Sequence, residues 1–113
     1  MNLHVTFKNC EPSDALRERA EQKLQKLSKY LREPIEAHLV LQVEKHRHRG
    51  DVTIHAAGEI LKTEVETDDM YVTVDRLMER IARAAKRQKE RRTGHHEDEA
   101  ERVDGFGGVN EPT

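Results

Sequence analysis

The sequence predicts an α+β domain in the order β-α-β-β-β-α, a four-stranded sheet with two helices on one face and a disordered acidic C-terminal tail. Three observations predict it. Residues 2–8 alternate apolar and polar, the period-two mark of a half-buried strand. Two longer stretches, 14–31 and 70–92, repeat apolar residues at helical spacing, and three short alternating segments with turn signals fill the space between them.

In the first strand Leu3, Val5 and Phe7 alternate with Asn2, His4, Thr6 and Lys8. Pro12-Ser13 announces a helix with Ser13 as its N-cap. Leu16, Ala20, Leu24, Leu27 and Leu31 form its buried stripe, Arg17, Arg19, Lys23, Lys26 and Lys29 its flanks, and Pro34 its stop. The second strand sets Ala37, Leu39, Leu41 and Val43 against His38, Val40, Gln42 and Glu44. HRHRGD, residues 46–51, reads as a basic connection into a third strand built on Val52, Ile54 and Ala56. Gly58-Glu59 reads as a tight hairpin turn, and Leu61, Thr63 and Val65 share one face of the fourth strand. The first and second strands, joined through a helix, suit parallel pairing. Asp68 or Asp69 caps the last helix, where acids complement the dipole. Tyr30 and Tyr71 each read as seals between core and surface.

The 113 residues carry a net charge of −2, which on its face argues against a polyanionic partner. The average conceals a segregation. Residues 97–113 hold six acids and one base, which leaves 19 basic and 16 acidic residues in 1–96, a net +3. Arg76–Arg92 alone holds eight bases and two acids, and a local field of that sign attracts a polyanion. The lone Cys10 forms no internal disulfide and fits a reducing cytosol. No apolar run approaches membrane-spanning length, so the expectation is a cytoplasmic protein without a membrane partner.

The last helix carries the candidate site. Met70, Val74, Leu77, Met78, Ile81, Ala84 and Ala85 form its core line, and Arg76, Arg80, Arg83 and Arg87 follow the same steps roughly a quarter-turn away. An exposed helix face is commonly charged without function, but interleaved acids would then be expected to form i,i+4 pairs. Glu79 has Arg83 in reach; from Arg80 to Arg92 the single acid is Glu90. Uncompensated charge at this density suits nucleic acid, with Arg17, Lys23 and Lys26 of the first helix and Lys45, Arg47 and Arg49 of the connection as further sources. His46, His48 and the pair His95-His96 lack neighbouring ligands at metal spacing and stand among arginines, so no metal is expected. His38 and His55 fall on the strand face turned from the apolar set, where they suit RNA contact. No nucleotide loop, serine elbow or zinc-protease motif is present, and no enzymatic role, cofactor or small-molecule substrate is expected.

Three stretches carry a resemblance: DMYVTVDRLMERIARAAKRQKER, SDALRERAEQKLQKLSKYL and LVLQVEKHRHRGDVTIHAAGEIL. Together they resemble the bacterial ribosome hibernation-promoting factors, the family that includes protein Y, over about residues 1–92. The resemblance implies the fold given above and a translation inhibitor that binds the small ribosomal subunit in its mRNA and tRNA channel and silences idle ribosomes. It implies rRNA contacts through Arg17, Lys23 and Lys26 on the first helix and Arg80, Arg83, Arg87, Lys89 and Arg91 on the last. Ala84, Ala85 and Arg76 depart from the family's pattern, so Arg76 rests on spacing alone. The chain resembles the short forms, without the dimerisation domain of long members, and is expected to be monomeric off the ribosome. Its tail is like protein Y's while its VEKHRHRGD hairpin is more like the short hibernation factor, which leaves open whether it promotes or opposes ribosome dimers. The resulting expectation is a ribosome-binding domain over 1–92 with a tail over 93–113. The competing readings are a free-standing double-stranded-RNA-binding module and a protein-interaction domain.

Overall fold

A computed structural model of the chain describes residues 1–93; the expected disorder of the tail, and His95-His96, lie outside the described residues. Seven elements follow in order: β1 (Asn2–Lys8), α1 (Asp14–Leu27), a 3-10 turn (Ser28–Tyr30), β2 (Ile35–Glu44), β3 (Arg47–Ala56), β4 (Glu59–Thr67) and α2 (Met70–Arg92). The sheet runs β1-β2-β3-β4, with β1 and β2 parallel through α1 and the other pairs antiparallel. This is the expected α+β architecture. Alternation puts Ala37, Leu39 and Leu41 of β2 and Val52, Ile54 and Ala56 of β3 in the core, while Leu3, Val5 and Phe7 on the edge strand are half-buried.

Both helices close the same face. Leu16, Ala20, Leu24 and Leu27 of α1 join Met70, Val74, Leu77, Met78, Ile81 and Ala85 of α2 in one core with those strand residues. Each large side chain removed from water in this way contributes roughly 1.5–3 kcal/mol before the entropy of ordering is charged against it. Thr73 is buried too, and its hydroxyl is satisfied: it donates to the His48 carbonyl at 2.8 Å and lies 2.6 Å from the Thr67 hydroxyl. Gly50 of β3 sits under the same turn of α2. A Cβ built there would lie 3.0 Å from Leu77 Cδ2 and 3.0 Å from Thr73 Cγ2, so a bare backbone is what lets the helix lie this close to the strand.

The caps are as expected in kind. Ser13 Oγ accepts from the Leu16 amide, and Asp69 Oδ1 accepts from the amides of Tyr71 and Val72. Three boundaries and one side-chain role differ from the sequence reading. The first helix ends at Leu27 instead of running to Pro34: Ser28 turns its hydroxyl onto the Gln25 carbonyl, a 3-10 turn follows, and Leu31 is buried from an extended backbone. The basic connection shrinks to Lys45-His46, because Arg47–Asp51 continue the ladder with β2 and β4. The second hairpin turns at Ala57-Gly58, both at positive φ (49° and 85°), and Glu59 already pairs with Ala56. Tyr71 seals nothing: it is 46% exposed beneath the Arg19 guanidinium, and only Tyr30 packs on the core.

The helices lie side by side and run in the same direction, since residue 19 meets residue 75 while residues 29 and 30 meet residues 89 and 92. One ion pair fixes the upper register. Arg19 Nε and Nη2 donate to the two Asp75 carboxylate oxygens at 2.7 and 2.8 Å, with Lys23 Nζ 3.7 Å away. The hydrogen bond from Arg19, more than its charge alone, holds the Asp75 carboxyl below its ordinary pKa, with burial opposing. At the other end the Arg92 guanidinium and the Lys89 ammonium donate to the Tyr30 and Lys29 carbonyls, 3.3 and 3.4 Å away.

Two substitutions test this packing. Gly50→Val is expected to lower unfolding free energy by about 1–3 kcal/mol through overpacking, read as a lower urea midpoint with an unchanged slope. An acid with a lowered native pKa stabilises the fold above its unfolded value and loses that contribution as pH falls through the native one. Asp75→Asn should therefore lower the midpoint at pH 7, and its deficit should shrink below about pH 4. A deficit independent of pH would contradict the clamp.

Candidate nucleic-acid interface

Parallel helices bring both C-terminal ends, and hence both negative dipole ends, to one side of the molecule. Lys26 and Lys29 finish α1 and its 3-10 turn there, and Lys89, Arg91 and Arg92 finish α2. The bases that read as docking groups thus also stabilise the helices that carry them.

Stepping about 100° per residue resolves the expected site into three groups. On α2, Arg76, Arg80, Arg83 and Arg87 fall within about 60° of one another and about 130° from the centre of the buried stripe. The row therefore stands nearer a third of a turn from the core line than a quarter, and it crests the helix on the side away from α1. Arg80 leans toward the sheet edge, its Nη1 donating to the Glu64 carbonyl of β4 at 3.2 Å, and Arg91 continues the crest about 20° beyond it. Asp75, Ala82 and Lys89 occupy the opposite flank, against α1. There they face Arg19, Lys23 and Lys26, so Lys23, Lys26 and Lys89 belong to a seam between the helices. Arg17 belongs to neither group. It lies on the outer flank of α1, with its guanidinium 5.9 Å from the centre of the Phe7 ring on β1.

The loop contribution is corrected outright. Arg47 and Arg49 are strand residues on the sheet face turned from the helices, and both have acidic neighbours. Arg47 pairs with Glu44 at 3.3 Å; Arg49 pairs with Glu64 and has Asp51 at 3.8 Å. The Glu64 hydrogen bond raises the Arg49 pKa, while burial raises that of Asp51. Alternation moves these side chains to the far side once the ladder extends to Arg47, so they do not converge with the helix bases.

By contrast, among the described residues Arg17, Lys26, Arg76, Arg80, Arg83, Lys86, Arg87, Lys89 and Arg91 form no ion pair. Glu79, expected to answer Arg83, does not reach it, and Asp75 is spent on α1. Two residues escaped the sequence reading. Lys86, three positions from both Arg83 and Lys89, fills the gap between crest and seam, a placement its spacing contains. Arg92 is a structural base, half-buried against the Tyr30 carbonyl with Glu59 at 3.8 Å, and no local pattern announces that.

His38 and His55 do lie on the open sheet face, joined there by His4. The His4 and His38 rings stack with centroids 4.9 Å apart, and Glu36 Oε2 stands 3.4 and 3.7 Å from their Nε2 atoms. His46 is in the hairpin turn and His48 is half-buried toward the helices.

Comparison with known proteins places this geometry. Residues 3–93 match the model of the family described as Sigma 54 modulation protein / S30EA ribosomal protein. The ribosome hibernation promoting factor of Salmonella typhimurium is 36% identical over 95 residues, 84% of this chain and all of that protein. Among solved structures, the N-terminal domain of Thermus thermophilus protein Y superposes with a TM-score of 0.71 at 29% identity, covering 78% of this chain and 99% of that one. A ribosomal subunit interface protein from Coxiella burnetii gives 0.65 at 26% identity, over 84% of this chain and all of its own. With its β-α-β-β-β-α frame matched along nearly its whole described length, this chain is a member of the S30EA family of ribosome hibernation-promoting factors and protein Y.

Proposed function

We propose that this chain is a non-enzymatic translation inhibitor that binds the small ribosomal subunit in the mRNA and tRNA channel and holds idle ribosomes in hibernation. The observation that carries the reading is the division of charge between the two sides of the fold. Arginines on the open sheet face are neutralised by Glu44, Asp51 and Glu64, while those on the α2 crest have no acid partner among the described residues. Unpaired guanidinium groups in a row repel one another and gain most from phosphates, which they can grip bidentately. The names of its relatives, a ribosome hibernation promoting factor and a ribosomal subunit interface protein, support the ribosome as the source of those phosphates.

The mechanism is steric. Arg80, Arg83, Arg87 and Arg91 on the crest, Lys23, Lys26 and Lys89 in the seam and Arg17 on the outer flank fasten a body of 45 × 28 × 19 Å to rRNA, and its bulk excludes mRNA and tRNA. Nothing in such a mechanism calls for a cofactor or a second substrate. Phosphate contacts supply affinity and position; sequence selectivity comes from the shape of the channel. The protein acts in the cytoplasm and is a monomer until it meets a subunit.

Co-sedimentation with purified small subunits tests the crest. Arg83→Glu with Arg87→Glu should abolish it while circular dichroism and the urea midpoint stay near wild type, because both side chains are exposed. Arg83→Gln with Arg87→Gln should flatten the slope of log affinity against log salt by about 1.4–1.8, the loss of two phosphate contacts. Retained binding by the Glu pair would sink the assignment, and equal affinity for random duplex RNA and intact subunits would favour a general RNA-binding module instead.

A further inference from the structure

We propose that the basic crest of α2 has a second occupant, this chain's own acidic segment 97–113, which screens the crest from non-specific RNA. The inference rests on the crest being a polyanion site. Three features bring the two together. The segment holds Glu97, Asp98, Glu99, Glu101, Asp104 and Glu111 against the single base Arg102, whereas Arg76–Arg92 holds eight bases and two acids. The chain leaves α2 at Thr93, at the end where Lys89, Arg91 and Arg92 gather. The covalent reach also suffices. Eight residues span at most about 26–29 Å whatever their conformation, and α2 rises about 15 Å from Arg83 to Thr93. The densest acids are thereby within covalent reach of Arg83, Arg87 and Arg91, which have no ion pairs among the described residues.

Tethering makes weak pairing effective. Each carboxylate–guanidinium contact at an exposed site is marginal alone, but a short linker holds the partner at an effective concentration in the millimolar range. Random RNA, which offers phosphates without a shaped cavity, must displace the segment and loses affinity. A fitted site with many simultaneous contacts displaces it at a smaller fractional cost, so the segment converts charge into selectivity. The competition is electrostatic and fades as salt shortens the Debye length.

The full chain with Glu97→Gln, Asp98→Asn, Glu99→Gln and Glu101→Gln provides the test. It should bind a random single-stranded RNA 20-mer roughly fivefold more tightly than wild type near 0.05 M salt, with the gain shrinking toward none as the Debye length falls to about 8 Å at 0.15 M and below. Affinity for purified small subunits should change less. Without any RNA, amide resonances of Arg83, Arg87 and Arg91 should differ between the two proteins at low salt and merge as salt is added. Superimposable spectra together with equal RNA affinities would overturn the inference while leaving the crest's role intact. If instead Arg83→Glu with Arg87→Glu keeps full subunit binding, the functional reading fails, and the salt-sensitive spectral difference still reports whether the segment meets the crest.

Discussion

The close approach of α2 to β3 at Gly50 is the constraint on which the rest of the structure depends. With Leu77 and Thr73 lying against a bare glycine backbone, the helix sits low on the sheet, and its buried stripe from Met70 to Ala85 is fully engaged. That engagement is what makes an arginine crest tolerable. Eight bases within seventeen residues oppose helix formation by mutual repulsion, and the opposing term is burial of Val74, Leu77, Met78 and Ile81 on the far side of the same cylinder. The depth of the helix also decides which groups meet at its flanks. Asp75 meets Arg19 at hydrogen-bonding distance, and Lys89 and Arg92 reach the carbonyls of the 3-10 turn.

Parallel helices then turn a local preference into a molecular one. A single helix with bases in its last turn is ordinary dipole compensation. Two such helices pointing the same way concentrate positive charge at one end of the fold, where fewer neighbouring acids answer it than on the sheet. The open sheet face follows the opposite logic. Opposed residues on adjacent strands are about 5 Å apart and diagonal ones about 7–8 Å. Arg49 thus reaches Glu64 diagonally on β4 and Asp51 two positions along its own strand, and the opposed His4 and His38 share Glu36 of β2. Similar residue types are self-satisfied on one side and left to solvent on the other, and the sides differ because a ladder brings partners into register while an isolated crest does not.

Much of this was legible in the chain. Element order, both N-caps, the core faces of β2 and β3 and the buried stripes of both helices follow from period and punctuation. What escaped was whatever depends on a partner distant in sequence. HRHRGD looks like a loop because four of its residues are histidine or arginine and one is glycine, yet Gly50 is there for α2, and Arg47 and Arg49 alternate outward like any strand residues. The first helix stops early because Ser28 bonds backward to Gln25, a choice open to serine that no periodicity forbids. Tyr71 carries an aromatic ring suited to a seal, but the ring stands beside Arg19, 52 positions away. Asp75 sits on the last helix and is the anchor of the first. In each case local chemistry named the residue's capabilities, and the tertiary neighbour chose among them.

The same distinction separates crest from seam. Arg83 and Arg87 are legible because helical spacing alone sets them away from the core, and no distant side chain among the described residues then claims them. Lys23 and Lys89 have the same charge and comparable spacing, yet each also touches the other helix or a side chain on it: Lys23 lies beside Asp75, and Lys89 reaches the Lys29 carbonyl. A base already holding a protein partner gives up that contact, or shares it, to bind phosphate, whereas Arg83 and Arg87 hold neither an ion pair nor a side-chain hydrogen bond among the described residues. Under the proposed function phosphate affinity concentrates on the crest, and the seam bases serve first to keep two positively charged helices at a fixed distance. Removing charge from the seam would loosen the mount; removing it from the crest would leave the mount intact and take away its grip.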